Sequence, residues 1–181
     1  FNRVALKAVK LPSLEDYKLT WKTILGSSGI GSFIGVLPAE GGTVASLIGY
    51  SEAKRWSKNP NEFGKGSIEG VAGAEAANNA ATGGAMVPTL ALGIPGSATT
   101  AVILTGLIIH GVRPGPALFR EQPEFLYGIF GAMLVANILF FILGFFGAKI
   151  FARITLVPNK LLWPMIFAVS VCGTYSLSQS I

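Results

Sequence analysis

Charged residues are nearly absent from four windows of this chain, 23–51, 86–112, 125–148 and 161–181. A charge at the centre of a membrane helix costs roughly 2.5–3.5 kcal/mol on insertion scales, so such windows mark candidate bilayer segments. About 20 helical residues, rising about 1.5 Å each, cross a hydrocarbon core of about 30 Å, and all four windows are that long. Window 125–148, FLYGIFGAMLVANILFFILGFFGA, is dense in Leu, Ile and Phe and ends at Lys149 and Arg153. It reads as a plain spanning helix whose glycines let another helix approach closely. Window 161–181 carries Trp163, an interfacial aromatic, and reads as a second span with a kink or start at Pro164.

The other two windows are interrupted. In 23–51 the string Pro38-Ala39-Glu40-Gly41-Gly42 places a breaker, a charge and two glycines in mid-run, which leaves two arms each too short to cross. Lys18 and Lys22 precede this window, and Lys54, Arg55, Lys58 and Lys65 follow it. Basic flanks on both sides are expected on the cytoplasmic side, which a single crossing forbids, so the pattern predicts a re-entrant helical hairpin with its tip at 38–42. Irregular backbone at membrane depth is tolerated only against protein or a water-filled cavity, so the tip should line a cavity. Window 86–112 breaks at Gly93-Ile94-Pro95-Gly96-Ser97 and is expected to be a discontinuous transmembrane helix whose second half starts near Ser97.

Segment 1–22 mixes five basic residues with Glu15 and Asp16 among scattered leucines and suits a cytoplasmic amphipathic arm on anionic lipid. Segment 52–85 reads as a polar loop and helix leading to the break. Loop 113–124, balanced in charge, is expected outside, and 149–160, which has basic residues and no acid, inside. These elements are read as parts of one membrane domain. The opening on Phe1 rather than Met reads as a piece of something longer.

Composition narrows the class. Only 13% of residues are charged, against about a quarter in soluble domains, and mean hydropathy is +0.57, which excludes an ordinary soluble enzyme domain. The formal charge of +5 comes from residues flanking membrane segments, so no nucleic-acid partner is expected. Cys172 is the only cysteine, which excludes an internal disulfide and a cysteine metal site. No nucleophile–base set or paired carboxylates are visible, so the chain is not read as an enzyme.

Several residues could carry chemistry. Gly26-Ser27-Ser28-Gly29-Ile30-Gly31 superficially matches a dinucleotide loop, but no strand precedes it, and packing through Gly31 and Gly35 explains it better. Glu75, Asn78 and Asn79 stand at i, i+3 and i+4 and share a helix face. This face reads either as the solvated side of an interfacial helix or as a ligand set for a cation or substrate, with Na⁺ expected near Asn78, Asn79 and Gly93. His110, the only histidine, reads as an interfacial residue or as a proton relay. Two helix breaks in one short chain are the sharpest signal. Half-helix N-termini present free N–H groups and a positive dipole end, which suits the carboxylate or phosphate groups of an anionic solute without a buried arginine, and Ser97, Thr99 and Thr100 add hydroxyls there.

The runs IGSFIGVLPAEGGTVASLIGYSEAKRWSK and FGKGSIEGVAGAEAANNAATGGAMVPTLALGIPGSATTAVILTGLIIHGVRPGPALF resemble the large membrane (permease) subunit of bacterial tripartite tricarboxylate transporters. The resemblance covers roughly residues 29–119 and rests on the joint occurrence of the Gly-Gly tip, EGV, EAANNA, LGIPGS and RPGP. It implies an all-α integral membrane protein, half of an inverted-repeat transporter, with a re-entrant hairpin, a discontinuous helix and further spans. It implies import of citrate-like di- or tricarboxylates across the bacterial inner membrane, driven by Na⁺ or H⁺ with no other cofactor. A periplasmic solute-binding protein and a small membrane subunit are the implied partners. The family's Leu-Pro-Gly-x-Gly-Gly appears here with alanine at 39. Motif matching carries Pro38, Gly41, Gly42, Pro95, Gly96, Ser97 and Thr99 to the substrate, and Glu75, Asn78 and Asn79 to ion coupling or substrate. A non-transporting scaffold or partner-docking component is the alternative, and it predicts breaks that bind nothing.

Overall fold

A computed structural model describes residues 12–38, 41–154 and 158–178. Expectations for 1–11, for Ala39 and Glu40 at the hairpin tip, and for 179–181 fall outside these residues. Seven α-helices and no strand occur among the described residues: α1 Leu14–Val36, α2 Gly41–Trp56, α3 Ile68–Leu92, α4 Ala98–Ile109, α5 Pro116–Glu121, α6 Pro123–Ile154 and α7 Asn159–Ser178. They belong to two compact units, residues 12–131 and 132–178.

Local chemistry places the helix ends in the first unit. At the start of α1, the Ser13 hydroxyl accepts the Asp16 N–H at 3.2 Å and the Asp16 carboxylate accepts the Ser13 N–H at 2.8 Å, a reciprocal capping box. That cap makes 14–22 part of a 23-residue helix, so the arm expected over 1–22 is not a separate element in its described part. α1 lengthens the first arm back to Leu14, but its first turns carry Glu15, Asp16, Lys18 and Lys22, and neither α1 nor the 16-residue α2 is among the helices long and apolar enough to cross. α1 ends because Leu37 precedes a proline, which disfavours helical angles, and it lies extended at φ −74° and ψ 124°.

The polar stretch and the first half of the expected broken helix are one continuous helix, α3, capped by the Ser67 hydroxyl on Gly70 N–H and running through Pro88. Nothing in the alanine-rich run before Pro88 stops it. It ends at Gly93, which takes left-handed angles (φ 69°) that favour glycine. The second half, α4, has 12 residues and spans about 18 Å, too short to cross.

α1, α2 and α3 pack through small residues. Gly31 and Gly35 of α1 lie against the main chain of Ala77 and Ala81 of α3, and Gly84 lies against Ser32 and Gly35. Ala45, Gly49 and Ala53 of α2 are buried, with Gly49 against Gly73 and Ala77, and Gly73 against Ala53. Small residues every fourth position let helix backbones approach closely, which is how helices associate where the surroundings are as apolar as the side chains. The order of contacts makes α1 parallel to α3 and α2 antiparallel to both. At the far end from the tip, buried Phe63 meets Tyr50 edge-on, and the Ser57 hydroxyl donates to Glu69 at 2.6 Å.

In α6, residues Pro123–Ala148 form the one helical stretch among the described residues that is long and apolar enough to cross a membrane, and apart from Leu126 it is not buried. The apolar part of α7, Lys160–Tyr175, is shorter than a span. Of the four sequence windows, therefore, only 125–148 coincides with a helix that passes on both length and composition.

Candidate functional site

The hairpin tip and the break at 93–97 both lie against α3, about two helical turns apart: Gly42 meets Asn78 and Gly96 meets Ala85. Gly35, in the last turn of α1, lies against Gly84, and Gly96 lies against Ala85, the next residue of α3. Both interruptions are thus referenced to one helix, over the stretch Asn78 to Ala85.

At the tip, Pro38 is exposed and Gly41 opens α2 at φ 63°, a left-handed conformation that L side chains avoid. Gly42 is packed under Asn78, whose Oδ1 occupies the space a Cβ would need. Glu75, Asn78 and Asn79 are all exposed on α3, and none of their side chains has a hydrogen-bond partner among the described residues. Among the described residues the Asn78 amide thus has no partner, and it lies beside the first turn of α2, the positive end of that helix dipole. Glu69 of the same polar stretch is tied to Ser57 and stays at the other end.

At the break, Gly93 reverses the chain, the Ile94 N–H donates to the Pro88 carbonyl at 3.2 Å, and residues 94–97 fold back along α3. Gly96 is buried, and a Cβ there would stand 2.9 Å from Ala85 Cα. Ser97 and Thr100 then cap α4 reciprocally: Ser97 N–H donates to Thr100 Oγ1 at 2.8 Å and Thr100 N–H to Ser97 Oγ at 3.2 Å. This changes the expected roles. Thr100 is buried and donates its hydroxyl proton to the Ser97 carbonyl at 3.0 Å, so it is not a spare donor for a solute, whereas the half-buried Ser97 hydroxyl accepts the Thr100 N–H and keeps a proton to donate. The open main-chain donors of this turn are the N–H groups of Ala98 and Thr99, with Thr99 exposed.

The expected Na⁺ set does not assemble as one group. Asn79 and Gly93 lie 14 residues apart on one helix, about 21 Å along its axis, too far for one ion to touch both. Asn78 and the Gly96 contact at Ala85 are separated by seven residues, on the order of 10 Å. Among the described residues no three His, Cys, Asp or Glu side chains cluster as a metal site. His110 is the exposed C-cap of α4, and Cys172 is exposed. A groove of about 350 Å³ lies at the opposite end of α1 and α3, lined by Pro12, Tyr17, Thr20, Ile24, Ile68 and Val71 among others; it is apolar and not part of this arrangement.

Sequence reasoning missed Thr89. It is fully buried, donates to the Ala85 carbonyl at 2.6 Å and accepts the Gly96 N–H at 3.4 Å. Its signal was available: a hydroxyl beside Pro88, seven residues before a glycine in the break.

No solved structure matches the chain. Two curated relatives from Agrobacterium vitis do, both described only by their place in the genome. An uncharacterized 52.8 kDa protein in the TAR-I ttuC' 3' region is 38% identical over 168 residues, 93% of this chain and 34% of its own length. An uncharacterized protein in the TAR-II ttuC' 3' region is 41% identical over 150 residues, 83% of this chain and 62% of its own length. The chain thus spans about a third and about three-fifths of the relatives it matches. The tripartite tricarboxylate transporter TctA family matches residues 2–181, and on that match over nearly the whole length the chain belongs to this family.

Proposed function

We propose that this chain forms part of the permease subunit of a secondary transporter that imports citrate-like di- or tricarboxylates across the bacterial inner membrane, driven by a cation gradient. Family membership supports a membrane transporter, and the observation that carries the solute reading is the placement of two helix interruptions against the same helix, α3, at Asn78 and at Ala85, on the order of 10 Å apart. The first turns of α2 and α4 offer main-chain N–H groups and positive dipole ends to carboxylates, and the Asn78 amide, without a partner among the described residues, adds a donor beside the first turn of α2. Neither interruption contains a basic residue, so the anion would be held by dipoles and amides and could be released without separating a buried ion pair. α1 and α2 form a hairpin that enters the membrane and returns, and α6 spans it. A periplasmic solute-binding protein delivers the solute, a small membrane subunit completes the complex, and Na⁺ rather than H⁺ is coupled, because the free groups near the tip are amides and carbonyls rather than a titratable pair.

The test is uptake of radiolabelled citrate into vesicles from cells that express the full-length protein with its binding protein and small subunit. Saturable uptake that requires an imposed Na⁺ gradient is expected. Uptake no greater than in vesicles lacking the permease would overturn the transporter reading in favour of a scaffold. Full-rate uptake on a proton gradient without sodium would overturn Na⁺ coupling alone.

A further inference from the structure

We infer that Thr89 is a positioning residue: its buried hydroxyl pins the break to α3 and so sets where the first turn of α4 presents its N–H groups to the solute. This inference rests on the transport reading above.

The local geometry has two layers. Gly93 and the bond from Ile94 N–H to Pro88 turn the chain back, but they fix only where the reversal starts. Downstream, among the described residues, the one hydrogen bond joining residues 95–97 to α3 is that from Gly96 N–H to Thr89 Oγ1 at 3.4 Å. Thr89 is well placed to hold it, because its hydroxyl proton is committed to the Ala85 carbonyl at 2.6 Å, leaving an oxygen lone pair for Gly96. Gly96 in turn touches Ala85, the same residue whose carbonyl orients the hydroxyl, so one helical turn of α3 sets both the contact and the bond. Ser97, the next residue, is the N-cap of α4. A shift of Gly96 therefore moves the cap and with it the open N–H groups of Ala98 and Thr99.

The chemistry predicts which change matters. Thr89→Val keeps the shape of a fully buried side chain and removes only the hydroxyl. The Ala85 carbonyl keeps its helical partner, whereas the Gly96 N–H is left buried without an acceptor. Thr89→Ser keeps the hydroxyl and so should keep the pin. A residue that merely fills space would behave in the opposite way, tolerating valine and suffering from serine.

The experiment uses the full-length permease: uptake is read with Thr99 intact, and labelling in a background freed of other cysteines, including Cys172→Ala, with Thr99→Cys as a reporter on the first turn of α4. Two quantities are read: the citrate concentration giving half-maximal uptake, and the rate at which a membrane-impermeant thiol reagent labels position 99. Thr89→Val should raise the first about tenfold and change the second at least severalfold, at equal amounts of folded protein, and Thr89→Ser should return both to within about twofold of the parent. Parent-like values for Thr89→Val in both readouts would overturn the inference while leaving the transport reading intact. If the parent carries no citrate at all, the transport reading fails, and the labelling rate still decides whether Thr89 holds the break. Should Thr89→Val not fold, Thr89→Ala against Thr89→Ser is read in the same way, with equal labelling rates overturning the pin.

Discussion

The two interruptions differ in what holds them. At 93–97 the restraint is local: a left-handed glycine, a reciprocal Ser97–Thr100 cap and a bond to Thr89 shape the break within twelve residues of sequence. At the hairpin tip the restraint comes from another helix. Gly31 and Gly35 seat α1 on the main chain of Ala77 and Ala81, and Asn78 covers Gly42 from the side. A break fixed by its own caps should respond to changes in those caps, whereas a tip fixed by helix packing should respond to changes up to two turns away.

Breaking the packing should have the largest effect. Leucine at Gly31 or Gly35 would drive a side chain into the backbone of α3, which cannot move aside, and we expect a loss of about 3 kcal/mol or more, seen as little folded protein in detergent. Gly29→Ala and Gly83→Ala are the controls, since nothing lies within 4 Å of the added methyl. Replacing a helical glycine by alanine gains up to about 1 kcal/mol, so these two should melt no lower than the parent. A normally folded Gly31→Leu would mean that the α1–α3 contact does not set the tip.

The next effect in size concerns the solute. Asn78→Ala removes an amide without a partner among the described residues, beside the α2 N-terminus, and loss of a hydrogen bond to a charged ligand is worth about 1.5–3 kcal/mol, so the citrate affinity should fall at least tenfold without a change in melting. Gly42→Ala should weaken binding too, because its methyl displaces the Asn78 amide. The double variant should then be no worse than Asn78→Ala alone, since both changes act on one group. Additive losses in affinity would show that Gly42 and Asn78 act independently.

At the break, Ser97 separates capping from binding. Ser97→Ala should cost about 1 kcal/mol of stability through the lost N-cap. Aspartate is as good an N-cap as serine, so Ser97→Asp should melt like the parent, yet it places a negative charge where the solute's carboxylate is expected and should weaken uptake. Unchanged citrate affinity in Ser97→Asp would remove the α4 N-terminus from the binding region.

How much of this was readable in the sequence follows from the same difference. Pro95, Gly93 and Gly96 interrupt a helix by their own covalent chemistry, so the break was legible residue by residue, and the apolar run of α6 was legible from hydropathy alone. The i+4 stripe of Ala77, Ala81 and Ala85 was not. Alanine in an alanine-rich helix carries no signal of what it faces, and the stripe acquires meaning only when Gly31 and Gly35 are laid against it. For the same reason α3 read as two segments with a boundary near 86, although it is continuous from Ile68. The Ser97 hydroxyl was legible as a donor near a helix start, but its engagement with Thr100 is a matter of rotamer and distance that composition does not carry.

The smallest effect provides the control for position. α1 opens with the same kind of cap as α4, Ser13 and Asp16 bonding reciprocally, but at the end of the hairpin far from the tip. Hydrogen bonds from the Ser13 backbone N–H, and secondarily from its hydroxyl, hold the Asp16 carboxyl below the usual aspartate value. A carboxyl whose folded pKa is depressed contributes stability that is fully present above its unfolded value of about 3.9 and is lost as pH falls through the lower folded value. Asp16→Asn should therefore melt slightly lower than the parent at neutral pH, and the gap should close as the pH is taken below about 3.9. Lying at the surface, the contact should also weaken with salt. Its citrate affinity should equal the parent's, because this cap touches neither interruption. A fall in affinity for Asp16→Asn as large as that for Ser97→Asp would mean that strain in either cap reaches the site through α1, and the distinction between a locally held break and a packing-held tip would be lost.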